Sequence, residues 1–275
     1  MVSSFGDTGR SRVAWKLSSV PKVAHFFWDD SPMSFLRWMT LRSFSVLNPE
    51  WKLVLHRSFA ATRPNWGSSH NKQVATEDLR DRVGDIKNLE IQEEDDEFAG
   101  LPAVQQSDIL RNRYLFESGG IWSDMDILYY RPMDEMLCNI DENATVPNGL
   151  CIEEMWFPIG FMLSSPGSAF FEQVLRHQES IAKHAGRPGY QKFGTGVYKS
   201  VMATGVHEHF PVATTEVYQH MWGAHRRIFQ GALNLNLGVG IHWYGGSDSA
   251  ALHEPTLTTS TWKSHPMSTV IAVTA

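Results

Sequence analysis

Asp124 and Asp126 stand one residue apart, directly after the run Gly119-Gly120-Ile121-Trp122-Ser123. On an extended backbone alternate side chains share one face. Both carboxylates are therefore expected to reach one hard divalent cation while Met125 turns into the protein. Mg²⁺ or Mn²⁺ takes such oxygen ligands and keeps positions open for phosphate oxygens. The chemistry this suits is Lewis-acid assistance to a departing diphosphate. An Asp-x-Asp alone carries little weight, because carboxylates are common on solvated turns. Its surroundings add to it. Asp108 and Arg111 lie three apart, the spacing that puts two side chains on the same side of a helix. There they offer an acceptor and a forked donor to sugar hydroxyls. The plain alternative is a surface ion pair contributing only tenths of a kcal/mol.

These residues need elements to hold them. Leu101 to Ser118 is predicted as a helix, with Pro102 in its first turn, an apolar face of Val104, Ile109, Leu110, Leu115 and Phe116, and Gly119 as its stop. Upstream, the pattern predicts a strand at Lys22–Trp28, a helix at Met33–Leu47 and a strand at Trp51–His56. A loop at Arg63–Lys72, a short helix at Thr76–Val83 and a strand at Leu89–Gln92 follow, and the acidic run Glu93–Glu97 reads as a solvated turn. Downstream, Tyr129–Met133 leads into a loop, and strands are expected at Leu150–Glu153 and Ile159–Leu163. A helix at Ser168–Lys183, a break at Gly186–Gly189, a last long helix at Gln191–Ala203 and a strand at Gly238–Tyr244 complete the reading. Strands alternating with helices imply an α/β fold with a mainly parallel sheet, whose ligands bind at the carboxyl ends of the strands. Trp28 and Asp124 both fall at such ends.

Taken together, Ser107-Asp-Ile-Leu-Arg111, Gly119-Gly-Ile-Trp122 and Asp124-Met-Asp126 resemble the core of the glycosyltransferases with a DXD sugar-binding region. That group includes α-1,4-galactosyltransferases, yeast-type α-mannosyltransferases and, more distantly, clostridial toxin glucosyltransferases. Val20-Pro-Lys-Val-Ala-His-Phe-Phe-Trp28 is similar to the opening strand of the same family. The resemblance implies a GT-A fold, Rossmann-like, and retention of anomeric configuration. It implies Mn²⁺ or Mg²⁺ on Asp126, with Asp124 serving metal, ribose or both, and Asp108 and Arg111 on the donor sugar and phosphate. Trp28, preceded by Phe27, would stack on the base, which points to a UDP-sugar; a Trp at a strand end is also an ordinary core residue.

The family's third metal or phosphate contact comes from a late strand, and Gly240-Ile-His242-Trp-Tyr-Gly-Gly-Ser247 is the best match. His242 reads equally well as a ligand or as a hydrogen-bonded buried imidazole. Ser247 matches the Ser of a Ser-Trp pair that closes this motif in several relatives, which implies a donor-binding role, but Asp248 stands where they have Trp, and this bears on both Ser247 and Trp243. Phe193-Gly-Thr-Gly196 resembles a loop on the acceptor side, or else a helix start capped by Thr195. The expected reaction is transfer of galactose or glucose from UDP to a glycan or small-molecule acceptor. Two alternatives stand beside it: a GDP-mannose-dependent mannosyltransferase, and a non-catalytic protein that binds sugar nucleotides or carbohydrate.

Composition narrows the classes. A chain of 275 residues suits a single large domain, read as a flexible leader over 1–19 and a catalytic domain over 20–275. Residues 20–136 form its nucleotide-sugar half and 137–275 its acceptor-side half. A net charge of -6 provides no basic field for nucleic acid. No apolar run reaches the ~20 residues of a membrane span, and no secretory signal is evident. A soluble, cytoplasmic enzyme, or one domain of a longer protein, is expected. Cys138 and Cys151 lack metal-ligand spacing, and a reducing compartment suits them. Asn143-Ala-Thr145 fits a glycosylation acceptor pattern of low weight without a signal. No Ser-His-Asp order, P-loop or cysteine zinc site is found. Asp124 and Asp126 stand too close together for the paired carboxylates of a glycoside hydrolase.

Overall fold

The structure is a computed structural model and describes residues 20–58, 77–95, 100–139, 148–150, 158–184, 193–204, 210–211 and 214–275. Its first half runs β1 (Val23–Asp29), α1 (Phe35–Leu47), β2 (Lys52–Ser58), β3 (Leu89–Glu93), α2 (Ala103–Glu117), β4 (Gly120–Ser123), β5 (Ile127–Tyr129) and α3 (Met133–Asn139). Then come β6 (Asn148–Leu150), β7 (Phe161–Ser164), α4 (Ala169–His184), α5 (Thr195–Ala203), β8 (Phe210–Pro211), α6 (Arg226–Phe229), β9 (Gly240–His242), α7 (Asp248–His253) and α8 (Ser268–Ile271). Seven strands form one sheet in the order β3-β2-β1-β4-β7-β6-β8, and β5 and β9 pair separately. Strands β3, β2, β1 and β4 are parallel; β7 runs antiparallel to both β4 and β6.

The apolar run of β1 is what a strand covered on both faces requires. Ala24, Phe26 and Trp28 pack in one core layer with Phe35, Leu36, Met39 and Phe44 of α1. Phe27 points the other way, into a second layer with Leu110, Leu115, Trp122 and Phe170. The glycine pair is equally constrained. Gly119 and Gly120 have φ of 67° and 92°, and a Cβ on Gly120 would lie 2.4 Å from the Val23 carbonyl. One residue thus ends α2 and the next lets β4 close on β1.

Most elements fall where the pattern predicts them, with ends moved by one or two residues. Four expectations need correction. Thr76–Val83 is replaced by a 3-10 helix at Arg80–Asp85, because the Asp78 carboxylate accepts the N–H groups of Met33 and Arg80 and fixes the preceding backbone. The acidic run is not simply a solvated turn: Glu94 Oε1 lies 2.7 Å from His56 Nδ1 and accepts the Tyr114 hydroxyl at 2.8 Å. His56 Nε2 in turn lies 3.0 Å from His25 Nδ1, and His25 Nε2 lies 3.1 Å from the Gly119 carbonyl, so a buried polar line crosses the sheet to the glycine pair. Burial, with His56 alongside, pushes His25 down to about 3.

The late helix is the third correction. Phe193 is helical, Gly194 turns, and α5 runs nine residues from Thr195 with Gly194 at its N-cap, so Thr195 is not the cap; residues 191–192 lie outside the described residues. The late strand is the fourth: Gly238–Tyr244 shortens to Gly240–His242 because Tyr244 turns left-handed, at φ 54°. The expected leader 1–19, loop 63–72, strand residues 151–153, Asn143–Thr145, the 186–189 break and Cys151 lie outside the described residues. Cys138 is exposed on α3. Among the described residues no helix is long and apolar enough to cross a membrane.

Candidate metal and donor site

Asp124 immediately follows β4, and Asp126 lies in the turn that enters β5. The motif is therefore a turn and not the extended segment its spacing suggests, yet Met125 is buried as expected, at 3% exposure. Backbone bonds fix the turn on both sides. Asp124 N–H donates to the Gly160 carbonyl at 2.7 Å, and Trp243 N–H donates to the Asp126 carbonyl at 2.8 Å. Pairing of β5 with β9 sets Ile127 opposite His242, and in this way a residue far along the chain reaches the motif. One ligand atom each of Asp124, Asp126 and His242 lies within 4.8 Å of the others.

The left-handed Tyr244 aims the next N–H inward, so Gly245 donates to Asp126 Oδ2 at 2.7 Å. A Cβ on Gly245 would lie 2.0 Å from Arg37 Nη2, so a larger residue here would have to displace the Arg37 guanidinium. Arg37 is a site residue that sequence reasoning missed. Its guanidinium sits 4.4 Å from the Trp243 ring centroid and 5.4 Å from that of Trp28, while Nε donates to Glu254 Oε1 at 3.1 Å. A lone arginine inside the apolar stretch Phe35-Leu-Arg-Trp-Met39 was the available signal. Burial acts to raise Asp126, but His242, Arg37 and the Gly245 N–H outweigh it and hold this carboxyl well below the usual carboxylate range. Asp126 is thus kept ionised, as a metal ligand must be.

Arg111 grips two carboxylates at once. Nη1 lies 3.1 Å from Asp108 Oδ1 and Nη2 lies 2.8 Å from Asp124 Oδ1. Trp122 Nε1 also donates to Asp124 Oδ1, at 3.0 Å, which leaves Oδ2 as that residue's oxygen for an ion. The Asp108–Arg111 side chains are each 4% exposed, so the surface-pair alternative does not apply. Asp108 Oδ2 is buried without a hydrogen-bond partner among the described residues.

Burial pushes the Asp108 carboxyl up to about 7, with Arg111 pulling it down and Asp124 adding to the rise. A carboxyl raised above its ordinary 3.8 binds its proton more tightly in the folded state. Its stability contribution is full below about pH 4 and is lost as pH rises through about 7. Urea unfolding of the metal-free protein should therefore show this loss across that window, and Asp108→Asn should flatten it. Identical slopes in native and variant would contradict the assignment.

The remaining candidates separate. Trp28 is next to last in β1 at 5% exposure, donates from Nε1 to the Ser31 carbonyl at 2.9 Å, and lines a pocket with Asp29, Arg57 and Arg80. Phe27 lies in the opposite core layer, away from that pocket. Ser247 caps α7, accepting the Ala250 N–H at 3.1 Å. His242 Nε2 lies 3.2 Å from Asp126 Oδ1, and its Nδ1 accepts the Tyr244 N–H at 3.3 Å. With Nδ1 an acceptor, the ring proton of a neutral His242 sits on Nε2 and faces Asp126. Ligation through Nε2 requires that proton to move to Nδ1 and the Tyr244 contact to open. Two carboxylates fixed in one turn, one of them held ionised, with an imidazole beside them, fit a divalent cation.

Comparison with known proteins agrees with this geometry. Residues 18–142 match the family model described as "Glycosyltransferase sugar-binding region containing DXD motif". Asp124-Met125-Asp126 is the one Asp-x-Asp in that span. No curated protein matches the chain. Among solved structures, the chain is similar to "PaToxG Glycosyltransferase", with 15% identity over 68% of this chain and 69% of that one, at a TM-score of 0.50. It is also similar to the apo-form glycosyltransferase GlyE of Streptococcus pneumoniae TIGR4, with 10% identity over 92% of this chain and a TM-score of 0.50. The chain spans 62% of the length of GlyE. The fold is that of GT-A glycosyltransferases, and the matched segment is a glycosyltransferase sugar-binding region.

Proposed function

We propose that this glycosyltransferase transfers galactose or glucose from a UDP-sugar to a glycan or small-molecule acceptor, with retention and with Mn²⁺ or Mg²⁺. The observation that carries the reading is the convergence of Asp124, Asp126 and His242 at the carboxyl edge of the sheet, near which Trp28 also lies, one residue before the end of β1. Arg37 lies between the rings of Trp28 and Trp243 and joins the two sides. In this reading residues 20–136 hold the donor and 137–275 face the acceptor.

Asp126 and Asp124 Oδ2 would hold the ion, with His242 beside them as orienting donor or third ligand. A bound divalent ion supplies charge neutralisation to the departing diphosphate. Arg111 fixes Asp124 for that task, and Asp108 Oδ2, buried and unpartnered among the described residues, is the acceptor this reading assigns to a sugar hydroxyl. Asp124 and Asp126 serve the ion and Asp108 pairs with Arg111, so none of the three is free to act as a covalent nucleophile. Same-face attack by the acceptor is the step this favours.

A screen of UDP-galactose, UDP-glucose, UDP-N-acetylglucosamine and GDP-mannose for Mn²⁺-dependent hydrolysis tests the donor. A UDP-hexose should turn over fastest; faster GDP-mannose would reassign the base and sugar, and no turnover in any would favour a binding protein. Trp28→Ala should weaken UDP binding by roughly 1 to 3 kcal/mol, the range for stacking of a base on an aromatic ring. Unchanged affinity in a folded variant would return Trp28 to a packing role.

A further inference from the structure

We propose that Trp222 is the platform of an acceptor subsite, on which a pyranose ring of the acceptor saccharide stacks; the inference rests on the transferase reading above. Large apolar side chains left in solvent call for a reason when they adjoin a site. Met221 and Trp222 are consecutive and are 55% and 52% exposed. They are also continuous with the metal cluster. The Trp222 ring meets Tyr244 edge-on at 5.4 Å between centroids, and Tyr244 lies 4.5 Å from the His242 ring, whose Nε2 faces Asp126. Two rings thus separate the exposed indole from the carboxylates.

The indole has ring neighbours in Tyr244 and His225. His225 packs against it at 5.7 Å, and His225 is itself anchored by Ser249 Oγ at 3.0 Å. Tyr244 in turn donates its hydroxyl to the His220 carbonyl at 2.6 Å. A rigid aromatic surface, already ordered, costs little further entropy when a ligand covers it. Of the tryptophans whose exposure is described, Trp28, Trp38, Trp51, Trp122 and Trp243 are buried and Trp262 is partly so. Trp222 alone among them presents most of its surface outward. The acceptor must reach the donor sugar beside the cluster, and a sugar presents an apolar face of C–H groups that an indole accommodates while its hydroxyls stay hydrated. A saccharide acceptor is therefore the occupant this position suits.

The test uses methyl glycosides of glucose, galactose, mannose and N-acetylglucosamine as probes. Saturation-transfer NMR with the whole chain, without nucleotide, should show one or more of them bound, with the signal lost in Trp222→Ala and kept in Trp222→Tyr. With the donor the protein turns over, the ratio of transfer to donor hydrolysis should fall about tenfold in Trp222→Ala, through KM for the glycoside, while UDP affinity stays as in the native protein. Native-like signal and transfer in Trp222→Ala, or no glycoside bound by the native protein, would overturn the subsite. If no nucleotide-sugar is turned over at all, the donor reading fails, and the NMR comparison still decides the platform.

Discussion

Asp126→Asn should lower turnover by about a thousandfold or more while the protein stays folded. The neutral amide keeps an oxygen for the Gly245 N–H, which lies 2.7 Å from Oδ2, so the turn between β4 and β5 keeps its principal inward bond. What is lost is charge. Lewis-acid stabilisation of a departing diphosphate is worth several kcal/mol, and each 1.36 kcal/mol is tenfold in rate. The variant also removes the anion opposite Arg37 and His242, leaving Glu254 to neutralise Arg37. Thermal unfolding and hydrolysis of the preferred donor, measured on the same preparation, separate the two effects. Native-like turnover would remove Asp126 from the chemistry, whereas collapse of the melting temperature with turnover would make it a structural anchor.

Arg111→Ala should cost stability as well as activity, by about 3 to 5 kcal/mol. The guanidinium lies between Asp108 and Asp124, and its side chain is 4% exposed, so truncation leaves Asp108 buried without its cation. Arg111→Lys should refold much of that loss but not restore turnover, because an ammonium cannot present the planar fork that reaches both carboxylates. Asp108→Asn should keep the fold and UDP affinity and reduce transfer, since it replaces the buried, unpartnered acceptor beside the site without removing the cation. Urea midpoints, UDP calorimetry and transfer rates for the three variants give the comparison. If Arg111→Ala were as stable as the native protein, the buried pair would not hold the site together.

The Asp-x-Asp pair, the helix before it and the opening strand were legible because each is a local pattern: a glycine stop, an apolar face, a continuous apolar run between two layers; that the pair sits in a turn was not. What the chain does not spell locally is pairing. His242 was visible as a candidate, but its juxtaposition with Asp126 depends on β5 lying against β9, over a hundred residues apart. The left-handed Tyr244 that turns Gly245 onto Asp126 carries no sequence mark, since tyrosine seldom adopts that conformation. Arg37 escaped notice because two of its partners, Trp243 and Glu254, come from the far end of the chain, over two hundred residues on. Ser247 matched a family position but is satisfied locally, by capping α7. Phe27 shared its motif with Trp28, yet alternate residues of a strand face opposite layers, and one step along β1 separates pocket from core.

Calorimetric titration of UDP into the whole chain, once with Mn²⁺ and once with EDTA, tests the central claim most directly. If Asp124 and Asp126 hold an ion that bridges to the diphosphate, UDP should bind about tenfold or more tightly with Mn²⁺. The difference should vanish in Asp126→Asn. Equal affinity in Mn²⁺ and EDTA for the native protein would contradict the metal bridge.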